Sequence, residues 1–144
     1  MANSSAYTML QVAATLDGVA IDGLWDGDDA IVVTPAVDAG TGMVGADGSS
    51  IWSQSADNSV TISIKLQHTS RAHQRLHQKL KQARAGNLVG FPFDFIDKLS
   101  GEGGNADQCF IQTPPADSKG TVAVVREWIL WTGNWNALIP TNSN

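Results

Sequence analysis

Residues 59–67 constrain the fold more than any other stretch. There Val60, Ile62, Ile64 and Leu66 alternate strictly with Thr61, Ser63, Lys65 and Gln67. Successive side chains of a strand point to opposite faces, so this run predicts a strand with one apolar and one wet face. A sheet that contains it must cover that apolar face with another part of the chain. Other strand signals support a mainly β protein. Asp17-Gly18 separates the apolar run Tyr7 to Leu16 from Val19 to Ile21, and Asp-Gly in that setting predicts a hairpin with a type I′ turn. Ala30 to Thr34 is a short β-branched run stopped by Pro35. Gln108 to Gln112 is a further short strand, ended by Pro114-Pro115. Gly86 to Phe95 reads as extended, with Pro92 placing it at a sheet edge.

Thr121 to Thr132 predicts a long strand, apolar on both faces except at Arg126 and Glu127. Both its faces are therefore expected to be covered, within the subunit or across an interface. Within it Trp128 and Trp131 fall on opposite faces, with Trp135 just beyond. One face is core; the other is a candidate interface centred on Trp131.

The chain has 144 residues, about one domain's worth. We expect a single domain over 1–144, with a long loop rich in Gly and Asp at 36–57 and a frayed tail at 140–144. A loop of that length inside a compact domain tends to be functional. Thr41, Gly42 and Met43 are taken from it as candidate contacts. Ile51 and Trp52 are its bulky pair, able to re-anchor it.

One helix is expected, over 70–85. Thr69 or Ser70 can cap its start and Gly86 closes it. Ala72, Leu76, Leu80 and Ala83 form a narrow apolar stripe, while the remaining positions are basic or amide. Residues 65–84 carry six bases and no acid, whereas residues 1–64 carry eight aspartates and no base. The net charge is −5. Such segregation concerns surfaces and partners rather than fold. Arg71, Arg75 and Lys79 are therefore candidate contacts to an acidic surface, and the chain's own acidic half suggests head-to-tail self-association.

Several motifs carry less than their letters suggest. Gly40-Thr41-Gly42-Met43-Val44-Gly45 matches a dinucleotide fingerprint, but no helix can open in Ala46-Asp47-Gly48-Ser49-Ser50. His73 and His77 have a chelating spacing, but Gln74 stands where a zincin has glutamate and bases crowd the site. They read as surface histidines that gain charge at low pH. Asp22, Asp26, Asp28 and Asp29 lack the EF-hand spacing, leaving only a loose calcium site or an acidic turn. Cys109 is the single cysteine, so no intramolecular disulfide forms, and it reads as a small buried hydrophobe. No nucleophile elbow is present, and Asp94, Asp97 and Glu102 have no fixed geometry. The basic helix lacks a partner helix for DNA readout. No catalytic residue, cofactor or metal is expected. Met1 to Gln11 has neither base nor apolar core, so no signal peptide is expected there, and no membrane partner.

In the order of its elements the chain resembles bacteriophage tail tube proteins, the inner-tube subunits of contractile tails and related injection machines. The resemblance rests on the Tyr7–Ile21 hairpin, the long Gly/Asp-rich segment, and the Ser-Val-Thr-Ile-Ser-Ile-Lys-Leu strand that runs into Thr69-Ser70 and one polar helix. A Phe-rich strand, a Pro-Pro connection and the long strand from Val122 to Trp131 complete it. It implies a β-sandwich or split barrel with one outer helix. It also implies hexameric rings whose sheets join into a ring-wide barrel, stacked into a tube for genome delivery. The implied partners are other copies of the chain, sheath, baseplate and terminator proteins, and DNA in passage. The implied location is the virion tail, after assembly in the host bacterial cytoplasm. No enzyme activity follows. A baseplate or terminator subunit of the same machine is the nearest alternative. A carbohydrate-binding β-sandwich using Trp128, Trp131 or Trp135 is the alternative from another class.

Overall fold

The computed structural model describes residues 12–25, 30–98, 101–117, 119–120, 122 and 124–139. The expected tail at 140–144, the start of the first hairpin and the acidic positions Asp26, Asp28 and Asp29 lie outside them. The protein is mainly β with one helix. Its strands are β1 (Val12–Leu16), β2 (Val19–Ala20), β3 (Ile31–Pro35), β4 (Gly40–Val44), β5 (Ser50–Gln54), β6 (Val60–Gln67), β7 (Phe91–Asp97), β8 (Gly103–Thr113), β9 (Val125–Thr132) and β10 (Asn136–Leu138). The helix α1 (Ala72–Arg84) follows β6.

Eight strands form one antiparallel sheet in the order β2-β1-β7-β8-β9-β6-β3, with β10 also paired to β8. Its two ends do not pair, so the sheet is open. It is nevertheless curled. Ala20 pairs with β1 at one end, and four residues later Leu24 bridges to Leu66 on β6. Four residues reach at most ~14 Å, whereas five strand spacings across a flat sheet require ~24 Å. The β2 side must therefore bend round toward β6 while the sheet stays open.

The concave face holds the core. The alternation in β6 works as the sequence predicts: Val60, Ile62, Ile64 and Leu66 are buried. Across the β6–β9 register, Ile62 faces Leu130 and Ile64 faces Trp128, all fully buried. Leu16, Phe91, Phe93, Ala106 and Cys109 extend the same cluster across β1, β7 and β8. Helix α1 closes it with Ala72, Leu76 and His73. Leu80 and Ala83, expected in the stripe, are only half-buried.

The hairpin turn forms as expected, with Asp17 at φ 52° and Gly18 at φ 80°. The helix end also agrees: Gly86 has φ 96°, its N–H donates to Ala83 and that of Asn87 donates to Gln82, a Schellman closure.

Three expectations are corrected. First, the segment 36–57 is not a loop; it contains the β4–β5 hairpin. Second, β7 lies inside the sheet between β1 and β8, not at an edge. Pro92 is tolerated because the β7–β8 register shifts between Phe91 and Phe93, where a bulge breaks the ladder. Third, α1 begins at Ala72 rather than at 70. Ser70 Oγ accepts the Ala72 N–H at 3.3 Å, but the main anchor is remote. Asp22 accepts the Arg71 N–H at 3.2 Å, and its backbone carbonyl accepts the Ser70 hydroxyl at 2.6 Å. An aspartate near the positive end of the helix dipole is favourable. Gly23 makes this approach possible: its φ is +69°, and a Cβ there would lie 2.9 Å from Ser70 Cβ. The outer face of β9 is not covered within the subunit, since Val125, Glu127 and Trp131 are exposed, so of the two expected covers the interface is the one left. Among the described residues, no helix is long and apolar enough to cross a membrane.

Ile62 and Thr61 test the register directly. Ile62→Asp places an unpaired carboxyl in the core, and its desolvation together with the lost apolar packing is comparable to the total stability of a small domain, so the chain should not fold. Thr61→Asp changes the outer face and should leave a folded subunit. Circular dichroism with urea unfolding of both variants checks this; the reverse ranking would mean that the strand is shifted by one residue.

Candidate assembly surfaces

Three groups of expected contact residues occupy three separate places. Thr41, Gly42 and Met43 lie on β4 of the two-stranded sheet, Arg71, Arg75 and Lys79 on α1, and Trp131 on the outer face of β9.

The β4–β5 hairpin pairs with no other strand of the described structure. Trp52 lies flat across β4: a Cβ on Gly40 would fall 2.5 Å from its ring, and one on Gly42 3.7 Å from it. Gly40 and Gly42 therefore form the floor for an indole, not a phosphate cradle. The indole Nε1–H donates to Gln54 at 2.9 Å, which fixes the ring. By alternation Val44 shares the Trp52 face, while Thr41, Met43, Ile51 and Ser53 share the other. The tip is closed by Asp47, whose carboxylate accepts the Ser49 N–H; that bond, above all, holds its pKa below the usual value. Both faces are apolar and open to solvent: Met43 is 59% exposed, Val44 71%, Ile51 58% and Trp52 62%. A two-stranded hairpin is at best marginal in water by itself. A pair of strands apolar on both sides is suited to being covered by another surface.

On the helix, charge meets charge inside the subunit. Lys79 Nζ lies 3.0 Å from Asp17 in the β1–β2 turn, and Arg71 Nε lies 3.9 Å from Asp22. The expected complementarity between the acidic first half and the basic helix is thus partly satisfied within one chain. Arg75 has no ion pair with a described residue, and Arg71 remains 93% exposed. Of the three candidates, these two keep charge for an outside partner. Lys79 is largely committed.

Trp131 stands on the convex face, directly opposite Phe110 on β8 and Thr61 on β6. Beside them Ile129 faces Ser63, and the Ser63 hydroxyl donates to Glu127. This face mixes aromatic, hydroxyl and charged groups. The other two tryptophans belong to the concave side. Trp128 is fully buried, and Trp135 stacks on Phe95 at 6.0 Å and 26°. An aromatic platform for a sugar is therefore not assembled from the three.

His73 corrects the reading of two surface histidines. It is buried, and both ring nitrogens are engaged: Nδ1 accepts the Trp128 indole N–H at 2.9 Å, and Nε2 lies 2.8 Å from the Gln67 carbonyl. No lone pair is left for a metal. Among the described residues, no cluster of three or more His, Cys, Asp or Glu could hold one. Cys109 is buried as expected, and burial pushes its thiol up to about 11, far from a reactive thiolate. The missed features, the Asp22 anchor and the His73–Trp128 bond, join residues about fifty positions apart, so local sequence patterns carry no signal for them.

No individual curated protein matches the chain. The family described as bacteriophage PhiTE tail tube protein matches over residues 4–132, from the first hairpin through the last residue of β9. That span includes β4–β5, α1 and the convex face of β9, the three places that hold the candidate contact residues. The chain belongs to the bacteriophage PhiTE tail tube protein family.

Proposed function

We propose that this structural tail tube protein is the repeating subunit of stacked rings, six copies to a ring, that form the conduit for genome delivery. The observation that carries the proposal is the β4–β5 hairpin, with large apolar side chains exposed on both faces and no other strand among the described residues paired to it. It acts as the arm that reaches a neighbouring copy. The open sheet supports the same reading. Strand β2 ends the sheet on one side and β3 on the other. Joining such edges between copies would extend the curled sheets into one barrel around a lumen, and a ring closes by repeating one heterologous contact. Pro35 sits in β3, the position where an edge strand tolerates a missing N–H.

Self-association of this kind places the protein in the virion tail, with sheath, baseplate and terminator proteins as further contacts and assembly in the host cytoplasm. A contractile tail would put Arg71 and Arg75 within reach of a sheath. The excess of aspartate suits a duct for DNA, because basic walls would bind phosphates and hold the duplex. At physiological salt such repulsion extends only about 8 Å from the wall, so it prevents adhesion without driving movement.

Deleting 41–48 removes the arm but leaves the sheet and helix intact. The variant should be a folded monomer that does not elongate. Hydrogen exchange should show residues 40–54 weakly protected in the monomer and strongly protected in assembled tubes. Equal protection in both states, or normal elongation of the deletion variant, rejects the arm.

Arg71→Glu with Arg75→Glu tests the helix contact. Exposed ion pairs contribute little to folding, so the melting temperature of the subunit should shift by only a few degrees. Tube formation or sheath attachment should fall at least tenfold. Unchanged assembly and attachment would assign these arginines to solvent.

A further inference from the structure

Helix α1 reaches the sheet through a side chain that serves in only one protonation state. Trp128 is fully buried in the middle of β9, and its Nε1–H donates to His73 Nδ1 at 2.9 Å. The Gln67 carbonyl, 2.8 Å from His73 Nε2, can only accept. His73 therefore carries its hydrogen on Nε2 and offers a lone pair at Nδ1, the neutral imidazole. A second proton would sit on Nδ1 and point at the indole N–H, leaving two donors face to face in the core.

The surroundings oppose that proton. On α1, His77 meets the Trp128 ring edge-on at 4.9 Å. On the turn before the helix, His68 Nδ1 accepts the Val124 N–H. On β9, Arg126 lies two residues from Trp128 on the same face. The connection before β9 adds Lys119 and one carboxylate, Asp117, which is exposed and already binds Arg126 at 2.9 Å and Lys119 at 3.2 Å. Burial holds the His73 imidazole below its ordinary value; the Gln67 carbonyl acts against this, while Arg126, His77 and His68 add to it. In the unfolded chain a histidine titrates near about 6.5. The folded value lies lower, so the contribution of neutral His73 is whole above about 6.5 and is lost as the pH falls through the folded value.

We propose that His73 is a pH-sensitive latch: neutral, it pins α1 to the buried indole of Trp128, and protonated, it releases the helix from the sheet. The latch is built into the single subunit and does not depend on the ring arrangement. Leu76 and Ala72 are the fully buried apolar contacts of the helix beside it. Losing the polar bond therefore leaves a thin apolar seam, the Asp22 anchor and the Lys79–Asp17 pair to hold the helix.

The test is nuclear magnetic resonance on the full chain, following the His73 imidazole and the Trp128 indole N–H from neutral to acid pH. At neutral pH His73 should show the Nε2–H tautomer. Its titration should fall below the ordinary histidine value, and indole exchange, corrected for its intrinsic pH dependence, should accelerate at least tenfold with the same midpoint. His73→Gln keeps one acceptor and one donor without titrating, and should flatten the change in urea midpoint between about pH 7 and pH 5. A His73 that titrates at or above the ordinary value, or an indole signal indifferent to its titration, overturns the latch. So does a folded His73→Gln variant with unchanged acid sensitivity. If that variant does not fold, the titration of the unaltered chain alone decides.

Discussion

The one-sided burial of the sheet is the constraint on which the rest depends. Ile62 and Ile64 oppose Leu130 and Trp128 across one ladder, with Val60 and Leu66 on either side, and all of these apolar side chains leave water on the same side. Each such side chain contributes roughly 1.5–3 kcal/mol when fully buried, so the face must be covered. Two devices cover it. The sheet curls, enforced by the short link from Ala20 to Leu24, and one helix lies in the remaining opening. Because the helix is polar elsewhere, its hold depends on Ala72, Leu76 and the His73–Trp128 bond at its first two turns. The other face of the sheet and the β4–β5 hairpin are left out of this core. Those are the surfaces by which a subunit that folds alone can still require neighbours.

Electrostatics follows the same division. The basic helix and the acidic first half attract one another, and part of that attraction is used at home. Asp17 holds Lys79, and Asp22 sits at the N-terminal end of the helix with Arg71. These contacts orient the helix over the curl in the sheet. What remains outward on the helix is Arg75, Lys81, Arg84 and the exposed end of Arg71. In the proposed assembly such charges would select and orient a partner more than bind it, and the apolar hairpin would supply the area that binding needs.

The elements most legible in the sequence are those specified by neighbours in the chain. Strict alternation in β6, Asp17-Gly18 in its turn, Gly86 behind the helix, and the opposed Trp128 and Trp131 each depend on spacing alone. The β4–β5 hairpin was hidden because its strands do not alternate against a core. Glycines stand where β-branched residues would mark a strand, and their purpose is visible only once Trp52 lies on them. Pro92 pointed to an edge because a bulge depends on the partner strand. The Asp22 anchor, 49 residues before Arg71, and the His73–Trp128 bond, across 55 residues, are products of the fold. The candidate contact residues are chosen by type and charge. Their separation into hairpin, helix and convex face could not be read, since it depends on which side of each strand faces the core.

The central claim is that this subunit is completed by copies of itself. Electron microscopy of the purified full-length protein at rising concentration, with sedimentation of the same samples, tests it most directly. The account predicts rings and stacked tubes of constant bore, with averaged images placing each 40–54 hairpin against a neighbouring copy. A protein that stays a 15.2 kDa monomer at all concentrations, or that forms tubes whose hairpins project free into solvent, would contradict it.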